Sequence, residues 1–278
     1  MTSRRNHYLQ ISLFGLILIL LSLLFIMPFY LIVINSFKTF RDIMLDTAAF
    51  PKTIYWGNYT EAWKVLNYPR SFLNSFVITV LSNIGVLIIS SMAAYRLVRY
   101  PTRFNRFIFI MFLSAMIIPF QSIMIPLVKV ASTLDLTNSI PGLIICYYGF
   151  GVSFPVFLFH GFIKNVPREI EESAIIDGCG QFRLFWLIVF PLIKSASVTV
   201  LILNTLWFWN DYLLPLLILQ KKDLRTIPLA ASFFFSKYNK QWDLGLAGLV
   251  MSIIPIIIFF IVMQKHIIKG ITTGSVKG

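Results

Sequence analysis

Six stretches of 20 to 25 residues run through this chain almost without charge: Ile11–Ile34, Ser71–Tyr95, Phe107–Val128, Gly142–Ile163, Ser195–Leu219 and Leu244–Met263. At about 1.5 Å per residue, each is long enough as a helix to cross a hydrocarbon core of roughly 30 Å. Only the fifth holds an acid, Asp211, and only the fourth a histidine, His160. The expected fold is therefore an all-α polytopic membrane protein with six transmembrane helices, one domain over residues 1–278. The composition agrees, with 58% hydrophobic and 13% charged residues, about half the charge of a soluble domain. The net charge of +13 does not indicate nucleic acid. The basic residues sit in short gaps between apolar runs, where anionic headgroups are the simpler partner. The first run is too long for a signal-peptide core and no small-residue cleavage site follows it, so it reads as an uncleaved span.

Lysine and arginine counts on the two sides of such a bundle are 13 and 11, which separates them poorly. Local density is more telling, because short loops set topology. Residues 96–106, RLVRYPTRFNR, carry four arginines and no acid. That places 96–106, 164–194 and both termini in the cytoplasm, with the two long loops facing outward. Prolines 28, 119, 126, 155, 215 and 255 interrupt nearly every span and predict kinks whose freed carbonyls need internal partners. Ser82, Gly85, Ser90, Ser91, Ala93 and Ala94 suit close helix packing in the second span. Cys146 and Cys179 are expected on different elements, with no disulfide between them. His7, His160 and His266 lie far apart, so no metal site is expected.

The acids are unevenly placed. Glu169, Glu171, Glu172 and Asp177 are four of only 11 in the chain, and all lie in 164–194. Asn165 and Pro167 signal a helix start, and the glutamates fall in its first turns, where they complement the dipole. Ile170, Ala174 and Ile175 form a narrow apolar stripe, and Gly178 supplies a left-handed stop. A second helical run extends from about Phe182 to Pro191. By composition alone this segment is either a solvated loop or a docking helix lying off the membrane.

The spacing Glu172-Ser173-Ala174, then Asp177-Gly178, then Ile188 and Pro191, closely resembles the EAA loop of ATP-binding-cassette (ABC) importer permeases. Ser173, Cys179 and Phe190 are the departures; the glutamate and the glycine are kept. The last residues, GITTGSVKG, resemble the tail of the smaller permease subunit of maltose-type sugar importers. Trp207-Phe208-Trp209-Asn210-Asp211-Tyr212 with Pro215 is similar to the fifth-span motif of the same group. The resemblance implies that Glu171, Glu172, Ser173, Ala174, Asp177 and Gly178 form a coupling helix seated in an ATPase cleft. It implies that the tail residues Gly270, Thr272, Thr273 and Gly274 reach between two ATPase subunits, although the tail's own composition argues against independent structure. It further implies a second, homologous permease, an extracytoplasmic solute-binding protein, and a location in a bacterial or archaeal plasma membrane. The chain has no G-x-x-x-x-G-K-[ST] loop, so no cofactor is expected here; ATP and magnesium would be held by the partner ATPase subunits.

The implied function is a non-catalytic permease subunit taking up a sugar or oligosaccharide by alternating access. An ion-coupled secondary transporter would need intramembrane acids, of which Asp211 is the one candidate. A membrane enzyme would need a catalytic constellation at one depth, and none is visible. An importer for a related solute such as glycerol phosphate stays open. Asn204, Trp207 and Asp211, at i, i+3 and i+7, share a helix face with Asn210 beside it, and form the expected solute path. Polar packing against another helix and an interfacial aromatic belt are the competing readings of these residues.

Overall fold

The computed structural model describes the backbone of residues 2–236 and 239–275, and the side chains of 13–235 and 241–265. It resolves into two compact units, Met1–Tyr68 with Ala231–Ile254, and Pro69–Ala230 with Pro255–Gly278.

The first unit opens with α1 (Thr2–Ser36), whose Leu13–Ser36 portion has a mean hydropathy of 3.0. From Leu13 to Tyr30 its apolar side chains are exposed all round, the pattern of a helix solvated by lipid. Polar side chains secure its end: Asn35 Nδ2 donates to the Leu31 and Thr47 carbonyls, each at 2.8 Å. Asn58 Nδ2 donates to the carbonyls of Ser36 at 2.9 Å and Lys38 at 2.8 Å. The connection that follows is ordered, holding α2 (Phe40–Leu45), capped by Thr39, and α3 (Gly57–Val65). Hydrogen bonds from the Ala49 and Ala48 amides hold the Asp46 carboxyl below the usual carboxylate range. A short antiparallel ladder of β1 (Phe235–Ser236) and β2 (Asn239–Lys240) precedes the last helix.

The second unit is built on α4 (Tyr68–Arg99), whose buried face is mostly small and polar. Ser82, Ser90, Ser91 and Ala94 are fully buried there, as the small-residue reading predicts. Gly85 is forced by packing: a Cβ at that position would fall 2.2 Å from the Tyr148 ring. Then come α5 (Arg103–Ala115), α6 (Phe120–Thr133), α7 (Ile140–Gly151) and α8 (Ser153–Lys164). Next come α9 (Arg168–Ile176), α10 (Gln181–Leu184) and α11 (Phe190–Leu192), followed by α12 (Lys194–Asn210), α13 (Leu213–Ile218) and α14 (Ile227–Ser232). Tyr147, Phe159, Val86, Val156 and Val200 are central to its apolar core. The final helix, α15 (Trp242–Ser275), begins in the first unit and continues into the second.

Among the described residues, three helices are long and apolar enough to cross a membrane singly, and three bent pairs bring the number to six when each pair counts as one span. The expected third span is not one helix: α5 and α6 are bent by 107° around residues 116–119. Pro119 explains the stop, since it lacks an N–H and forces the preceding residue out of helical geometry. The fourth bends by 48° at Val152, just ahead of Pro155. The expected fifth span, 195–219, stops at Asn210. Asp211 is extended, and α13 then starts with Pro215 in its first turn. Prolines 28, 126 and 255 lie within continuous helices. The backbone of 270–275 also continues α15, against the expectation of no independent structure, because extending an existing helix avoids the nucleation cost. Residues 276–278 of the expected tail lie outside the described residues, as do the side chains of Thr272 and Thr273.

Close approach makes a clear prediction at Gly142. Its amide donates to the Ser139 cap at 3.0 Å, and a Cβ there would sit 1.9 Å from the Leu136 carbonyl oxygen. Gly142→Ala should lose about 1–3 kcal/mol. Gly161→Ala, with nothing within 4 Å of the added methyl, should be neutral or gain roughly 0.5–1 kcal/mol from helix propensity. Thermal unfolding of the two variants in the same detergent compares them directly.

Candidate functional site: an anchored loop helix and a cavity

Pro167 precedes α9 (Arg168–Ile176) and starts it as expected. Asn165 does not cap it; its side chain donates back to the Gly161 carbonyl at 3.2 Å and closes α8 instead. The glutamates of the first turns part company. Glu171 turns inward, is 6% exposed, and accepts from the Tyr95 hydroxyl at 2.9 Å and from Arg99 Nε at 2.7 Å. Arg99 also donates to the Val166 carbonyl at 2.9 Å. One guanidinium at the end of α4 thus grips the loop at two points, a geometry that its rigid fork suits.

Glu172 faces the other way and is exposed, together with Ser173 and Asp177. Ala174 is buried beside Glu171, while Ile170 and Ile175 are 41% and 47% exposed, so the expected apolar stripe divides. Gly178 is left-handed at φ +82°, as its position predicts. The Gly178 amide reaches the Ile175 carbonyl at 3.0 Å and Cys179 reaches Ala174 at 2.9 Å, which closes the helix end. The chain resumes in α10 (Gln181–Leu184), passes through a π turn at Phe185–Val189, and ends in α11 (Phe190–Leu192). That matches the expected second run. The outer surface of the loop combines an acid ridge with apolar side chains, Ile176 at 86% exposed and Phe182 at 69%.

A second feature lies among the helix breaks. A cavity of about 710 Å³ is lined by Met116 and Phe120 at the α5–α6 bend, Phe150 and Ser153 at the α7–α8 bend, and Asp211 at the end of α12. Asn204 and Trp207 line it too, so three of the four predicted path residues are brought together. Asn210 is not; it is exposed and its amide donates to the Leu206 carbonyl at 2.7 Å. Asp211 is not on the helix face that an i+7 spacing implies, because α12 has already ended. Its carboxylate holds the break, with Oδ1 accepting from the Leu213 amide at 3.0 Å and Oδ2 from the Tyr147 hydroxyl at 2.8 Å. Trp209 points away from the cavity, buried against Phe72 with ring centroids 5.7 Å apart.

Sequence reasoning missed Tyr95, Arg99 and Tyr147. Arg99 counted only as a loop charge, although its place one turn beyond the end of the second span was a signal that it could fold back. The buried pair makes Glu171 and Glu172 separable by experiment. Glu171→Ala leaves Arg99 buried without its partner and should cost about 3–5 kcal/mol, whereas Glu172→Ala should lower stability only by the roughly 0.3–1 kcal/mol of an exposed helix-end charge. Replacing both members, Arg99→Met with Glu171→Met, should recover most of the lost stability. Melting curves of the three variants check this.

The pattern of the family described as binding-protein-dependent transport system inner membrane component matches residues 85–273. A probable starch degradation products transport system permease protein of Thermoanaerobacterium thermosulfurigenes is 43% identical, over 98% of this chain and 99% of its own length. The multiple sugar-binding transport system permease protein of Streptococcus mutans is 39% identical over 92% and 93% of the two chains. The melibiose/raffinose/stachyose import permease protein of Bacillus subtilis is 34% identical over 90% and 91%. In fold, the chain is similar to a chain of a bacterial ABC transporter involved in the import of the acidic polysaccharide alginate, with a TM-score of 0.75 at 23% identity over 91% and 94% of the two chains. The chain belongs to the binding-protein-dependent transport system inner membrane components, the multi-pass permease subunits of ABC importers whose ATP is hydrolysed by separate subunits.

Proposed function

We propose that this chain is one of two homologous permeases that form the path of an ATP-driven importer for a sugar or oligosaccharide. An extracytoplasmic binding protein delivers the solute and two ATPase subunits drive alternating access. The observation that carries the reading is α9 itself. Its inner face is tied to α4 through Glu171, and its outer face offers Glu172, Asp177 and exposed isoleucines to another protein. A helix held this way can pass a push from a partner into the spans instead of swivelling in its loop.

In this reading Glu172, Ser173, Asp177 and Gly178 meet the ATPase, and Glu171 and Ala174 orient them from behind. The tail from Gly270 onward runs towards the ATPase pair. Both termini and the loops 96–106 and 164–194 face the cytoplasm. The Arg99 to Val166 and Glu171 contacts support a common side for those two loops, since they join the start of one to the start of the other. The cavity at Asn204, Trp207 and Asp211 lies on the solute path. The sugar class is supported by the relatives, among them a melibiose/raffinose/stachyose import permease.

Purification in mild detergent should recover this chain with a second permease and an ATPase. In proteoliposomes holding that assembly and its binding protein, radiolabelled neutral oligosaccharide should enter only with ATP. Glu172→Ala removes a helix-end charge worth about 0.3–1 kcal/mol plus any bond across the interface. Gly178→Ala strains a left-handed turn by roughly 1 kcal/mol or more. Both should lower uptake several-fold while the chain still inserts. Wild-type uptake in both variants, or uptake without ATP, would overturn the proposal.

A further inference from the structure

We infer that the cavity takes an uncharged glycosyl unit and turns away anionic sugars, with Asp211 as the discriminating charge and the Asn204 amide as a donor to the ligand. The inference rests on the reading of this chain as a sugar permease and assigns its path a substrate class.

Asn204 carries the first part of the argument. It is 3% exposed, and its Nδ2 has no hydrogen-bond partner among the described residues. Of the residues with such an orphaned buried side-chain atom, it alone also lines the cavity. A buried donor without a partner is unfavourable unless something else supplies an acceptor. A ligand hydroxyl in the cavity does so.

Charge carries the second part. Asp211 is the one charged residue among those that line the cavity; no lysine, arginine or histidine joins it. Tyr147 and the Leu213 amide fix the carboxylate in place, so it cannot swing aside. A uronate or a sugar phosphate would lose its hydration there, meet a like charge, and find no cation. A neutral sugar meets an acceptor for its hydroxyls instead. Aromatic walls complete the fit. Trp207 is 45% exposed and Phe150 and Phe154 line the same space, offering flat apolar faces to the C–H side of a ring. The volume of about 710 Å³ falls in the roughly 300–1,000 Å³ range of small-molecule sites. The structural relative described as importing an acidic polysaccharide shares the fold only, so it sets no expectation for this cavity.

The test places a reporter thiol on the wall, Leu203→Cys, in a Cys146→Ala, Cys179→Ala chain assembled with its second permease and ATPase subunits. Cationic and anionic methanethiosulfonate reagents are compared, each normalised to its rate on a free thiol. The cation should react about 10-fold faster or more, and the isosteric Asp211→Asn should bring the ratio close to one. Maltotriose should slow the labelling and a trigalacturonate at the same concentration should not; in Asp211→Asn both should. Asn204→Leu should remove protection by maltotriose. If Leu203→Cys fails to assemble, Ile123→Cys on another wall serves as reporter. Equal reagent rates in the parent, equal protection by both trisaccharides, or no labelling overturns the inference. ATP-driven uptake of neutral sugar by the wild-type assembly is measured in parallel. If uptake is present while the labelling pattern fails, the sugar reading stands and this inference falls; if uptake is absent, the sugar reading falls with it.

Discussion

A helix that stops at membrane depth leaves backbone donors and acceptors with no water to satisfy them, and this constraint organises the second unit. The chain meets it with side chains placed where the regular structure ends. Asp211 takes the Leu213 amide after α12 stops. Asn138 Oδ1 accepts from the Gln220 amide at 2.8 Å, and its own amide donates to the Ile218 carbonyl at 2.7 Å, so α13 is finished from another loop. Asn74 Nδ2 donates to the Asp223 and Arg225 carbonyls, and Ser75 Oγ accepts from the Ile227 amide at 2.9 Å. At Asn74 and Ser75 the polar face of α4, unusual for a span, supports irregular backbone. Of the side-chain atoms left unsatisfied among the described residues, Asn204 Nδ2 is the one whose residue borders the cavity.

The same logic explains why the breaks cluster. Breaks at residues 116–119, at Val152 and at 211–212 border one space, whereas the 77° bend between Leu192 and Lys194 does not line it. Irregular backbone is tolerable at depth where it borders a cavity or other protein, and interrupted helices at such a point are a common way to build a transport site. Pro119, Pro155 and Pro215 each stand at the start of the segment after a break. Prolines 28, 126 and 255 do not break their helices. At Pro255 a neighbour replaces the lost donor, the Tyr68 hydroxyl bonding the Met251 carbonyl at 3.0 Å.

Spans, loop helix and stop glycine were legible in the sequence because each rests on local pattern: apolar run length, acids in a first turn, a glycine where the chain must turn left-handed. Glu171 and Glu172 were not distinguishable, since neighbouring residues of equal charge differ only in which face the fold buries. That choice depends on Arg99 and Tyr95, over 70 residues away in sequence. The path residues were legible as a helical face, and Asn204 and Trp207 fit it. Asp211 reaches the same cavity by another route, through a break that no 3.6-residue periodicity can report. Tyr147 was invisible for the same reason as Arg99: its partner is distant, and in sequence it is one aromatic among many.

α4 connects the two features. Near one end Arg99 and Tyr95 hold the loop helix; towards its middle Asn83 Nδ2 donates to Thr205 Oγ1 at 3.1 Å, one residue from Asn204. Between these points Gly85 lets Tyr148 close against the helix, and the Tyr148 hydroxyl donates to the Leu81 carbonyl at 3.2 Å. A continuous helix is stiff along its axis, so a displacement at Glu171 reaches the cavity wall if both joints hold. Net stability is a poor reason for a buried ion pair at the first joint, since apolar side chains of equal volume stabilise as well or better. An apolar contact, however, can slide, whereas an arginine bonded at once to a carboxylate and a carbonyl fixes one register of loop against span. In the proposed coupling role, the pair's value lies in that fixed register.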